Sequence, residues 1–153
     1  MAENKEKIGV YVCHCGSNIA GVVDVEEVAK WAKEQLGDKG VVIAKDYKFM
    51  CSSLGQELIE QDIKELGLNR IVVAACSPHM HERTFRNTCE RAGLNPYLFQ
   101  MANIREHASW VHPDDKEAAT DKAKDLVRMS VARAALLKPL RAKKISINQR
   151  ALV

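Results

Sequence analysis

Residues 8 to 18 read IGVYVCHCGSN, an apolar run that ends on two cysteines separated by one histidine. Strand side chains alternate faces with period two, so a strand that persists through this stretch points Cys13 and Cys15 the same way and brings two thiols into one small volume. The run IGVYVC, 8 to 13, has the unbroken apolar character of a strand buried on both faces, and Gly16, Ser17 and Asn18 then read as a turn. Downstream, Asp24 suits a helix N-cap, and Val25, Val28, Ala29, Ala32 and Leu36 recur at helical spacing until Gly37 and Gly40. Strand, turn and helix make the opening half of a βαβ unit.

The same pattern repeats along the chain. VVIAKDYK, 41 to 48, is a second strand that turns polar like an edge strand, and RIVVAAC, 70 to 76, is a third and the most hydrophobic. Between them, Ser52 or Ser53 caps a helix carrying Leu58, Ile59, Ile63 and Leu66 inward and ending at Gly67. After strand three, Ser77 and Pro78 open another helix, stopped by Gly93. A fourth strand is expected at 96 to 104, PYLFQMANI, followed by the short segment REHASWVH. From Asp114 a long helix is expected, with Ala119, Ala123, Leu126, Val127, Ser130, Ala134 and Leu137 on one face, ending before Pro139.

Alternating strands and helices with short connections predict an α/β, three-layer domain with a four-stranded parallel sheet in the order 2-1-3-4. Such a sheet binds ligands beyond the carboxyl ends of its strands, where the winding reverses. Cys13 and Cys15 leave strand one there, Cys76 leaves strand three, and Cys51 follows strand two on the same edge at a helix start, where backbone N–H groups favour an anion. Four thiols from three segments are therefore expected at one site.

The chain has 153 residues, long enough for one domain that folds without disulfides. Its five cysteines are an odd number, and MAENKEK is followed by no apolar leader, so a reducing cytoplasm with metal, cluster or redox chemistry is expected. No apolar run approaches the roughly 20 residues of a membrane span. The net charge of +3 is weak, and RAKK at 141 to 144 reads as a solvated helix end and linker instead of a nucleic-acid surface. On residue chemistry, four such thiols suit an iron-sulfur cluster best, then zinc, whose common signature is paired CxxC, and then a redox dithiol, which also normally carries CxxC. Cys89, mid-helix, reads as core or surface. His14 is expected to point away from the thiols, His79 and His81 lie near Cys76, and His107 and His112 have no evident partner. No nucleophile pairs with a base, and no GxGxxG or GxxxxGK loop is present.

Taken together and in order, GVYVCHCGSNI, the MCS step in YKFMCSSLGQELIEQDIKELG and ACSPHMHERTF resemble the N-terminal domain of the heterodisulfide reductase A-subunit family, flavin and iron-sulfur subunits of methanogens and related anaerobes. The resemblance covers residues 8 to about 140. It implies one 4Fe-4S cluster, with Cys13, Cys15, Cys51 and Cys76 as ligands and Cys89 outside the set. It implies a relay role in flavin-based electron bifurcation, with FAD held only by the full-length protein. The partners it implies are the remaining domains, other heterodisulfide reductase subunits and an electron-donating hydrogenase or dehydrogenase; dimerisation through exposed apolar area is a further expectation. Residues 141 to 153 then read as a linker and the start of a thioredoxin-reductase-like flavin domain. The chain alone is expected to lack the overall activity. The alternative is a metal-free or zinc-bound docking domain for the flavin domain and partner subunits.

Overall fold

The computed structural model describes residues 6–141 and 143–147. Four strands, β1 (Ile8–Cys13), β2 (Val41–Tyr47), β3 (Arg70–Ala75) and β4 (Phe99–Asn103), form one parallel sheet in the order β2-β1-β3-β4. The expected winding is the observed one. In register, Val10 lies opposite Ala44 on one side and Val72 on the other, so β1 is central and buried along its whole length.

Among the described residues five α-helices follow the strands, α1 (Ser17–Ala20), α2 (Val25–Gln35), α3 (Ser53–Leu66), α4 (Pro78–Arg91) and α5 (Lys116–Ala135), with a 3-10 turn at Gly37–Lys39 and a π-helical turn at Arg105–Ser109. Alternation along β1 divides the core in two. Ile8, Val10 and Val12 pack with Val28, Ala32, Ala123 and Val127, beneath α2 and α5. Tyr11 and Cys13 face the other way, into a core with Ile59, Ile63, Phe85 and Cys89 from α3 and α4. Burying these apolar faces on both sides of the sheet is the main driving force for the fold, at about 25 cal/mol per Å² of apolar surface. Tyr11 also carries a polar tip into its core: its hydroxyl donates to Asp62 Oδ2 at 3.0 Å, and Lys45 Nζ meets Asp62 Oδ1 at 2.8 Å. This arrangement supplies partners for a carboxylate that burial would otherwise penalise.

The caps lie where the sequence puts them. Asp24 accepts from the Glu27 N–H, Ser52 from Gly55 and Ser77 from His79. Gly67 closes α3 at φ 63°, a left-handed conformation that favours glycine.

β2 and β3 each end one residue before the expected bound, and three larger differences have local causes. The turn after β1 is the four-residue helix α1, closed by the Gly21 N–H donating to the Ser17 carbonyl and tied back to β1 by the His14 carbonyl, which accepts from Ile19 and Ala20. The fourth strand begins at Phe99 and ends at Asn103, not at 96 and 104, because Asn95 takes the N–H of Tyr97 on its side chain and that of Leu98 on its carbonyl, closing a turn around Pro96. The long helix stops at Ala135, where the Arg70 guanidinium reaches in and binds the carbonyls of Ala134 and Leu137. Residues 143–147 belong to no helix or strand, and the expected start of a flavin domain falls largely on 148–153, outside the described residues. Among the described residues, no helix is long and apolar enough to cross a membrane.

Candidate functional site

At the carboxyl edge of the sheet, Cys13, Cys15, Cys51 and Cys76 line one cavity of about 110 Å³. Its buried wall includes Ala75 and Phe85; Phe49 and Met80, both about half exposed, stand with His81 and Arg105 around the rest. All four thiols are free, and no disulfide draws any of them away.

Each cysteine arrives by a separate local device. Cys13 is the last residue of β1 and its side chain is buried on the α3 and α4 side. Cys15 does not reach the cavity by strand alternation, as the sequence suggests, since β1 has already ended. Its backbone turns left-handed, with φ 49°, in the one non-glycine residue of positive φ among those described, and Gly16 follows at φ 59°. Such a conformation is uncommon outside glycine and costs local free energy, which makes this reversal a candidate functional strain. Cys51 and Cys76 occupy equivalent places, each one residue before the serine that caps a helix. They sit just outside α3 and α4, not within their first turns.

That placement moves the N–H donors from where they were expected. The N–H groups bonded to Cys13 Sγ come from Cys15, at 3.3 Å, and Met50, at 3.4 Å, both in the loops beyond β1 and β2. The Cys13 thiol in turn lies 3.9 Å from the Lys48 carbonyl. Burial pushes the Cys13 thiol above its ordinary range, opposed by these two N–H donors. Burial also pushes Cys76 up to about 11, opposed by the positive charge of Arg105. Both thiols are therefore protonated near neutrality without a ligand, and any metal centre they hold must displace those protons.

The histidines separate. His14 turns away from the thiols, as expected, and its Nε2 lies 2.7 Å from Asp46 Oδ2. His81 lines the cavity, with Nδ1 3.4 Å from Thr84 Oγ1, whereas His79 and His107 line a different surface pocket. Cys89 is fully buried in the core among α3, α4 and the sheet. The residue that sequence reasoning missed is Arg105. It follows β4 to the same sheet edge, and its Nη1 lies 3.7 Å from Cys15 Sγ. Its only signal in the sequence is that position, just past the end of the fourth strand.

The donor set fits an iron-sulfur cluster: four free thiols around one largely apolar cavity, with backbone N–H groups aimed at sulfur. Among the described residues, no three His, Cys, Asp or Glu side chains close to the spacing of a single metal ion.

No family model matches the chain. Over its whole length it is 63% identical to the second iron-sulfur A subunit of CoB-CoM heterodisulfide reductase from Methanopyrus kandleri, covering 23% of that protein. It is 62% identical to the A subunit of the H(2):CoB-CoM heterodisulfide,ferredoxin reductase of Methanothermobacter marburgensis, again over the whole chain and covering 24% of the relative. Over 96% of the chain it is 53% identical to the A subunit of the ferredoxin/F(420)H(2)-dependent CoB-CoM heterodisulfide reductase of Methanosarcina acetivorans, covering 18% of it. The chain thus spans about a quarter or less of the length of these relatives. With identities of 53–63% over 96–100% of its length, the chain belongs to the heterodisulfide reductase A-subunit family, as an N-terminal domain of it.

Proposed function

We propose that this chain is an electron-transfer domain that carries one 4Fe-4S cluster on Cys13, Cys15, Cys51 and Cys76. The observation that carries the reading is the convergence of these four free thiols, from the ends of three strands, on one cavity. That cavity, at about 110 Å³, is several times the roughly 30 Å³ share of one water in the liquid, a size that suits a body larger than a single ion. A 4Fe-4S cluster supplies a one-electron carrier there. The protein contributes the rest. Ala75 and Phe85 exclude water from one side, the N–H groups of Cys15 and Met50 offset negative charge on the Cys13 sulfur, and the strained turn at Cys15 aims the second thiol.

In this reading residues 1–140 form the cluster domain and 141–153 lead toward a flavin domain that holds FAD. The domain relays electrons in flavin-based bifurcation within a cytoplasmic complex of heterodisulfide reductase subunits and an electron-donating hydrogenase or dehydrogenase. Relatives whose names carry iron-sulfur, ferredoxin and heterodisulfide reductase support that assignment. Anaerobic reconstitution of the chain with iron and sulfide is expected to give roughly four of each per chain and a broad visible thiolate-to-iron band. Iron at trace level after reconstitution refutes the cluster.

A second reading, a docking domain without a cluster, is favoured by one observation. Phe49, Met80 and Trp110 are 50%, 57% and 55% exposed near the cavity, an apolar rim suited to cover by another domain or a second copy. Equal thermal stability with and without added metal, together with trace iron, supports it.

A further inference from the structure

Arg105 is held on four sides. Its guanidinium donates to Glu106 Oε1 from Nη2 at 2.8 Å and from Nε at 3.3 Å, and to Met80 Sδ from Nη2 at 3.2 Å. It also lies 4.8 Å from the centre of the Trp110 ring, and its side chain is only 13% exposed. Glu106 is itself fixed, its N–H donating to Asn103 Oδ1 at 3.1 Å at the end of β4. These contacts leave Nη1 3.7 Å from Cys15 Sγ, on the wall of the cysteine cavity. A permanently charged, planar, poorly hydrated group is placed against a proposed ligand sulfur and braced there by Glu106, Met80 and Trp110.

We infer that Arg105 is a positioning residue that sets the reduction potential of the cluster domain, holding a fixed positive charge against the Cys15 sulfur so that the reduced form is favoured. The inference rests on the cluster reading above. One-electron reduction by dithionite, a sulfur-oxyanion reductant, adds one negative charge at the site and no proton. A cation in contact with a ligand sulfur stabilises that extra charge more than it stabilises the oxidised form. Glu106 opposes the effect, because its carboxylate partly neutralises Arg105, and its second oxygen, Oε2, is buried without a hydrogen-bond partner among the described residues. The pair is a fixed dipole beside the site, with its positive end, Arg105, against the Cys15 sulfur.

The test is a dithionite titration followed by electron paramagnetic resonance on the reconstituted 153-residue chain, with iron counted in every sample. Arg105→Gln is expected to disfavour reduction about tenfold, which for a one-electron couple is a midpoint about 59 mV lower. Arg105→Lys keeps the charge and is expected to stay within about half that shift. Glu106→Gln removes the opposing charge and is expected to raise the midpoint. Iron equal to wild type in Arg105→Gln with an unchanged midpoint overturns the inference. Should Arg105→Gln fail to load iron, Glu106→Gln decides: a raised midpoint supports the inference, and an unchanged or lowered one overturns it. Wild-type protein without iron removes the cluster reading and this inference with it.

Discussion

Gly55 links the fold to the cysteine cavity in a way that a single methyl group can test. It lies in the first turn of α3, where a Cβ would stand 2.6 Å from Met50 Cα, from the Met50 carbonyl oxygen and from the Phe49 carbonyl oxygen. Those three atoms are backbone, so no side-chain rotation relieves the clash. The overlap is about 1 Å inside the 3.5–4.0 Å at which non-bonded atoms attract best. The 49–50 backbone must therefore move away from α3 in Gly55→Ala, and it carries both the Met50 N–H that meets Cys13 Sγ and the chain leading into Cys51. Overpacking of this kind typically costs about 1–3 kcal/mol. At about 2–4 °C per kcal/mol for a chain of this length, thermal unfolding by circular dichroism is expected to drop by about 2–12 °C. Iron bound after reconstitution is expected to fall as well. Gly37→Ala is the matched control, since a Cβ there meets nothing within 4 Å, and it is expected to be neutral or slightly stabilising. A Gly55→Ala protein with wild-type melting temperature and wild-type iron would refute the claim that close approach of α3 to the 49–50 loop shapes the site.

Two further outcomes follow from the core beneath the cavity. Tyr11→Phe removes the hydroxyl that bonds Asp62 at 3.0 Å but leaves Lys45 in place, so chemical unfolding is expected to lose about 1.5–3 kcal/mol, the range for a hydrogen bond to a charged group, with iron content unchanged; no loss means that Lys45 alone satisfies the carboxylate. Cys89 is pushed up to about 12 by burial from an ordinary 9.0, so above pH 9 the unfolded chain sheds a proton that the folded chain keeps. Stability of the metal-free protein is therefore expected to be full below pH 9 and to decline as pH rises toward 12, less steeply in Cys89→Ala, and identical slopes in the two proteins contradict this.

The sheet was legible because its strands advertise themselves by composition. IGVYVC and RIVVAA carry no charge after the leading arginine of the second, and each of the four longer helices begins at a serine or aspartate whose side chain closes the first turn in the structure. Strand order then followed from short connections, and with it the edge where Cys13, Cys15, Cys51 and Cys76 meet. The means by which Cys15 gets there was not legible. A left-handed cysteine has no pattern of its own, and period-two alternation reached the same cavity by a different path. Arg105 was missed for another reason. Its contact with Cys15 joins residues 90 positions apart, and only its place just past the fourth strand distinguishes it from the other arginines. The Met50 N–H belongs to the same class, because a backbone donor leaves no mark in the sequence at all.

The most direct test of the central claim is iron content cysteine by cysteine. Chains carrying Cys13→Ala, Cys15→Ala, Cys51→Ala, Cys76→Ala or Cys89→Ala would be reconstituted anaerobically beside the wild type, with folding checked by circular dichroism and iron and acid-labile sulfide counted in each. Roughly four irons per chain are expected for the wild type and Cys89→Ala, and a loss of most of that iron in each of the other four while the fold persists. Full iron in any one of those four, or its loss in a folded Cys89→Ala, contradicts the proposed ligand set.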